Sequence, residues 1–199
     1  MPIGGATGAG VLTTLTGGGN LYLTTGAAGN IVINAPITDN GGAVTVVKNG
    51  GGNGMLILSG NNTFTGGLVV NSGGSGNDVR LVGTQSFTGG ITLNGGGIGD
   101  NGSNGLPGVA AAALNGNAIT VNGAAHLIIA DNQSLSTSST ITINATGVLN
   151  LGSDGTTGLT VPGVVSGSGV LDIDGNNPNN STRIVNLTNS ANRRRIFFR

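Results

Sequence analysis

Residues 58–71 and 81–94 are two copies of one pattern, and that repeat limits the possible folds more than any other feature. Leu58-Ser59-Gly60-Asn61-Asn62-Thr63-Phe64-Thr65-Gly66-Gly67-Leu68-Val69-Val70-Asn71 aligns without a gap on Leu81-Val82-Gly83-Thr84-Gln85-Ser86-Phe87-Thr88-Gly89-Gly90-Ile91-Thr92-Leu93-Asn94. Seven of the fourteen positions are identical at a single offset, the one that carries Leu58 to Leu81. A period of this size marks units that cannot bury a core alone and must stack on their neighbours.

A shorter unit runs further along the chain: an alternating apolar triplet that ends in Asn. It occurs as Ile31-Val32-Ile33-Asn34, Leu68-Val69-Val70-Asn71, Ile91-Thr92-Leu93-Asn94, Ile119-Thr120-Val121-Asn122 and Ile141-Thr142-Ile143-Asn144. Alternation of this kind sends the outer two side chains inward and the middle one to solvent. The spacings between the Asn positions are 37, 23, 28 and 22. The last three fit one coil of about 22–28 residues, within the range of known repeat periods, and the first fits a coil with an excursion. Stacked coils would align these Asn side chains into a hydrogen-bonded ladder.

The expected fold is all-β: a right-handed parallel β-helix (β-solenoid) of eight or nine coils, since parallel crossovers are almost always right-handed. Residues 1–192 form one solenoid domain with a repeat core over 30–175, and 193–199 form a separate tail. The first coils keep the alternation through Leu12, Leu15, Leu21, Leu23, Ile31 and Ile33. A loop excursion is expected over 97–116, because Pro107 opposes a central strand. The Ala110–Ala113 run within it reads as either a short helix or a thin strand. Phe64 should lie over Phe87.

Composition agrees. The chain has 199 residues, 41 of them Gly, and only 7% are charged. So much Gly would suggest disorder, but disordered chains are charged and poor in β-branched residues, and this one is rich in Val, Ile and Thr. Residues 1–192 carry three bases against seven acids, which excludes the basic stripe of a nucleic-acid groove. There is no Cys, hence no disulfide. No segment approaches the length of a membrane-spanning helix. The start, Met1-Pro2-Ile3-Gly4-Gly5, lacks the basic and apolar regions of a signal peptide, which points to a processed fragment or another route of export.

Residues 54–67, Gly54-Met55-Leu56-Ile57-Leu58-Ser59-Gly60-Asn61-Asn62-Thr63-Phe64-Thr65-Gly66-Gly67, resemble the autotransporter-associated β-strand repeat. That repeat pattern is Leu-x-Leu-Ser-Gly, then Asn-Thr-Tyr/Phe-Thr-Gly-Gly, then a strand ending in Asn, and residues 56–71 meet all of it. The copy at 79–95 departs at Val82, Gln85 and Ser86. Gly147-Val148-Leu149-Asn150-Leu151-Gly152-Ser153 and residues 164–171 look like the linking coils of such passengers. The resemblance spans about residues 30–175. It implies a right-handed β-helix, export across a bacterial outer membrane, and a structural or adhesive role at the cell surface or outside the cell. The family carries no catalytic residues to transfer.

Other candidate sites are weaker. Gly73-Gly74-Ser75-Gly76-Asn77-Asp78-Val79-Arg80-Leu81 is close to a calcium-binding nonapeptide, but Arg80 takes the place of its large apolar residue. Gly96-Gly97-Ile98-Gly99-Asp100 is an incomplete second copy, and plain Gly-rich turns are the simpler reading. Asp172 and Asp174 share a strand face and form the best hint of a glycan-active enzyme, with Arg183 the nearest base in sequence. His126 stands alone and reads as a turn or surface residue. The outward Thr92, Thr120 and Thr142 raise the alternative of an ice-binding solenoid. The expected function is therefore non-enzymatic, with no catalytic, cofactor or metal residues. The tail, with Arg193, Arg194, Arg195 and Arg199 around Ile196, Phe197 and Phe198, is expected to support end-to-end self-association into filaments. A host or cell-surface glycan or protein is the other partner expected.

Overall fold

The computed structural model describes residues 2–3, 10–26, 29–72, 79–99, 108–173 and 184–194. Every strand pairing in it is parallel, and the pairs link coil to coil. The chain is a β-solenoid of about six turns.

One sheet stacks Gly19–Thr24, Val44–Gly50, Leu68–Ser72, the first half of Ile91–Ile98, Ile119–Val121, Ile141–Ile143 and Val165–Gly167. The second stacks Pro2–Ile3, Ile31–Ile33, Leu56–Leu58, Val79–Leu81, the end of Ile91–Ile98, Ala124–Ile129, Val148–Ser153 and Val170–Asp172. The third face has single bridges, Leu12 to Ile37 and Asn62 to Gln85. It then becomes a short sheet of Gln133–Ser134, Leu159–Val161 and Val185–Leu187.

One inward column shows the stacking. Leu21, Val46, Leu68, Ile91, Ile119, Ile141 and Val165 sit in register, one residue from each strand of the first sheet. The turn count is lower than the eight or nine expected from the repeat. Some steps use more chain for one layer: those from Ile3 to Ile33 and from Val161 to Leu187 are both longer than the step from Leu68 to Ile91. At about 4.8 Å per turn the stack is about 30 Å long.

The inward positions form one core. Leu68, Val70, Leu93, Ile119, Val121 and Ile141 are almost wholly buried, while the middle residues of their strands stay half-buried, as the alternation requires. Phe64 and Phe87 stack with ring centroids 4.8 Å apart and planes 9° from parallel, which confirms the register read from the repeat. The Gly pairs that follow them are conformational necessities. Gly67, Gly89 and Gly90 have φ of 89°, 90° and 87°, and a Cβ at Gly67 would lie 2.7 Å from the Gly89 carbonyl oxygen. Only Gly takes that conformation so close to a neighbouring backbone.

Two expectations change and one open alternative is decided. The strand at Ile91–Ile98 runs unbroken from one sheet to the next, so residues 97 and 98, expected in the loop excursion over 97–116, are strand. The Ala run resolves as one turn of 3-10 helix, Ala111–Leu114, ended by Asn115 in the left-handed region at φ 49°. Leu15 does not join the core and is 88% exposed. Residues 100–107, including Pro107, lie outside the described residues.

Replacing Phe64 or Phe87 with Ala removes a fully buried ring and leaves a cavity. Each should cost about 3–5 kcal/mol in urea unfolding. The double variant should cost less than the sum, because the two rings are in contact.

Candidate functional site

The outer face of the first sheet is a regular surface. Its register places Thr92, Thr120, Thr142 and Ser166 in one outward column, continued at the other end by Val69, Val47 and Tyr22. The Thr142 and Ser166 hydroxyls lie 3.4 Å apart. Two positions further along each strand a second outward column begins, and here the expected ladder exists. Asn71 Nδ2 donates to Asn49 Oδ1 at 3.0 Å, Asn94 to Asn71 at 2.7 Å, Asn122 to Asn94 at 2.7 Å, and Asn144 to Asn122 at 2.6 Å. Every bond runs in the same direction, from the later coil to the earlier.

The first rung is Asn49, not Asn34. Asn34 follows Ile31–Ile33, which belongs to the second sheet. The long interval before Asn71 in the triplet spacing is thus an ordinary coil counted from the wrong face. Asn49 escapes the triplet pattern because Lys48 takes the inward place held by Val70 and Leu93 in the next coils, and it is fully buried there. The backbone register shifts after Val70, yet the Asn71–Asn94 bond still forms.

A second amide stack lies inside the rod. Asn62, fully buried, accepts from the Ile37 N–H at 2.8 Å and donates to Gln85 Oε1 at 2.8 Å, while Gln85 donates to the Val82 carbonyl at 2.8 Å. Gln85 looks like a departure from the repeat, but it stands amide for amide opposite Asn62 in the aligned copies. The sequence already carried that signal.

Corner side chains do similar work where the chain turns and backbone N–H groups would lack partners. Asn117 accepts from Gly90 at 3.0 Å, and Asp39 accepts from the backbone of Val44 at 2.8 Å and Thr65 at 3.0 Å. Hydrogen bonding from the Thr65 hydroxyl, then from the Val44 N–H, holds the Asp39 carboxyl below its ordinary range. Asp131 accepts from Gly158 at 2.7 Å and Thr157 at 3.0 Å. The Gly158 N–H outweighs partial desolvation and, helped by Thr157, pushes Asp131 down to about 2. Sequence reasoning misses both residues; an Asp one coil from a Gly-rich turn is the only clue.

His126 is corrected from turn or surface to a buried strand position. It stands in register between Gly97 and Asn150, with Nε2 3.1 Å from the Gly99 carbonyl oxygen. Its ring lies against Gly97, where a Cβ would come within 2.5 Å of ring carbons. Burial is possible because the neighbouring coil carries no side chain at that point. The column continues to Asp172, which is exposed. Asp174, Arg183, and the Gly73–Asp78 and Asp100 parts of the calcium candidates lie outside the described residues. Arg80 of that candidate is described and sits at the half-buried middle of Val79–Leu81. Residues 195–199 of the tail are also outside; for Arg193 and Arg194 only the backbone, in a 3-10 turn, is described.

Among the described residues no group of three His, Cys, Asp or Glu converges on a point. No described helix is long and apolar enough to cross a membrane. An open depression of about 400 Å³ beside Ala111–Leu114 is lined by Ala111, Ala112, Asn115, Gly116 and three Ser residues, with no titratable side chain. Comparison with protein-family models, curated proteins and solved structures finds no match.

Removing a middle rung breaks two ladder bonds, each contributing about 0.5–1.5 kcal/mol net. Asn94→Ala should lower stability by about 1–2 kcal/mol, whereas Asn34→Ala should stay within about 0.5 kcal/mol of the wild type. Chemical denaturation of both variants checks this. The Asp131 carboxyl has a folded pKa below the ~3.9 of an unfolded chain. Its contribution is therefore present above about pH 4 and lost as pH falls toward about 2. Asp131→Asn should flatten that limb of the stability–pH curve, read from melting temperatures across the acid range.

Proposed function

We propose that this chain is a non-enzymatic structural or adhesive β-solenoid of a bacterial protein displayed at the cell surface or secreted. The observation that carries the reading is the uncharged outer face, in which a Thr column lies beside a hydrogen-bonded Asn ladder. Such a face offers hydroxyls and amides at a fixed repeat of about 4.8 Å along the rod. It suits a long neutral partner, a surface glycan above all, better than a small substrate enclosed in a pocket. The resemblance of residues 56–71 to the autotransporter-associated repeat supports the same assignment, and with it export across an outer membrane.

A second reading, ice binding, is favoured by one specific observation. Thr92, Thr120 and Thr142 fall in consecutive coils in perfect register, with Ser166 next.

Beads coated with the chain should adhere to a panel of neutral glycans, and Thr120→Lys with Thr142→Lys should abolish adhesion without unfolding the rod. Release of cleaved or unsaturated sugars from any glycan would overturn the non-enzymatic assignment. Thermal hysteresis that disappears in the same double variant, with no glycan adhesion, would establish the ice-binding reading instead.

A further inference from the structure

The outer face of the first sheet changes character along the rod. Its middle column runs from the hydroxyls of Ser166, Thr142, Thr120 and Thr92 to Val69, Val47 and Tyr22. Val47 is closed to solvent at 5% exposure, while Tyr22 beside it is 62% exposed. The other described aromatic rings, Phe64 and Phe87, are wholly buried.

A hydrogen bond orients Tyr22. Its hydroxyl accepts from Asn20 Nδ2 at 2.9 Å. The two residues share a face of one strand and lie about 7 Å apart along it. A ring standing straight off the sheet would lift its hydroxyl above the reach of the short Asn side chain. The bond therefore draws the phenol over along its own strand, with its polar tip engaged and ring carbons making up most of what it exposes. A Tyr fixed in this way offers a broad amphipathic contact at low entropic cost.

The Asn ladder adds a polar group nearby. Asn71, Asn94, Asn122 and Asn144 each donate to the preceding rung, but Asn49 accepts from Asn71 and donates to no described residue. The residue in register with it on the neighbouring strand is Thr24, which is exposed. Asn49 is only half-buried, so its amide N–H groups stay open to solvent beside Thr24. Lys48 points into the core and is fully buried, which leaves no charge on the outer face of Gly19–Thr24 and Val44–Gly50.

We propose that Tyr22 is the stacking platform for one pyranose ring of a neutral β-linked glucan, with Asn49 Nδ2 donating to a hydroxyl of the same sugar. A pyranose whose hydroxyls are all equatorial turns its axial C–H groups to the two ring faces and its hydroxyls to the rim. One face then lies on Tyr22 and the neighbouring Val47 and Val69, while the rim meets the Asn49 amide and the Thr24 hydroxyl. β-Linked glucans are extended ribbons of such rings, so the following units run along the Thr column of the same face. The absence of charge suits a neutral chain, since a charged glycan would lose hydration there without gaining a partner. This deepens the adhesive reading and rests on it: it names the sugar class and the residue that seats it.

Tyr22 is the one Tyr of a chain without Trp, so tyrosine emission reports on this residue alone. Titration of the full chain with cello-oligosaccharides should give a saturable change in that emission. Calorimetry with the same sugars should show affinity falling about tenfold in Tyr22→Ala, with the circular dichroism of the rod unchanged. Tyr22→Phe should recover most of that loss, because it keeps the ring. Adhesion to other neutral glycans while cello-oligosaccharides leave the emission unmoved, or bind without loss in Tyr22→Ala, overturns the platform and leaves the adhesive reading standing. Equal losses in Tyr22→Phe and Tyr22→Ala overturn stacking in favour of a contact made by the hydroxyl. Coated beads that adhere to no neutral glycan, with Tyr22 emission unmoved, overturn both.

Discussion

Everything in this molecule depends on the backbone of each coil hydrogen-bonding the coil before it in register. A parallel ladder satisfies both polar groups of a residue only if the neighbouring strand sits one pitch away and in phase. Once Ile91 lies on Leu68 and Ile119 on Ile91, every side chain between them is fixed as inward or outward. The core is then a set of columns, each residue packing on its counterpart one turn away. Phe64 on Phe87 is the clearest case, and the Asn ladder is the same geometry written in amides.

The corners are where this scheme would fail, because a chain that changes direction leaves donors without a ladder partner. Asn62, Asn117, Asp39, Asp131 and Asn192 each accept a backbone N–H from an adjacent coil. Neutral amides do this inside the rod at little desolvation cost, while the two carboxylates sit at the surface, where charge stays hydrated. The low charge of the chain follows from the same division of labour. Most surface positions are either turns that need Gly or Asn, or the middle residues of strands, where Thr and Val suit the pleat.

The solenoid class, the register of the two repeat copies, the Phe stack and four of the five ladder rungs are all legible in the periodicity of the chain. Periodicity is a property of the chain and survives without coordinates. Which face a given triplet occupies is settled by packing between coils. Ile31-Val32-Ile33-Asn34 and Leu68-Val69-Val70-Asn71 look alike, yet they lie on different sheets. A local alternation reports the direction of side chains within a strand and nothing about the sheet to which the strand belongs. Tertiary packing also decided the places of Lys48 and His126. One fills an inward column where the pattern leads one to expect a hydrocarbon, and the other lies buried on an outer face because Gly97 leaves room for a ring. Both depend on what the neighbouring coil presents, a full turn away along the chain, and that is a contact the fold creates.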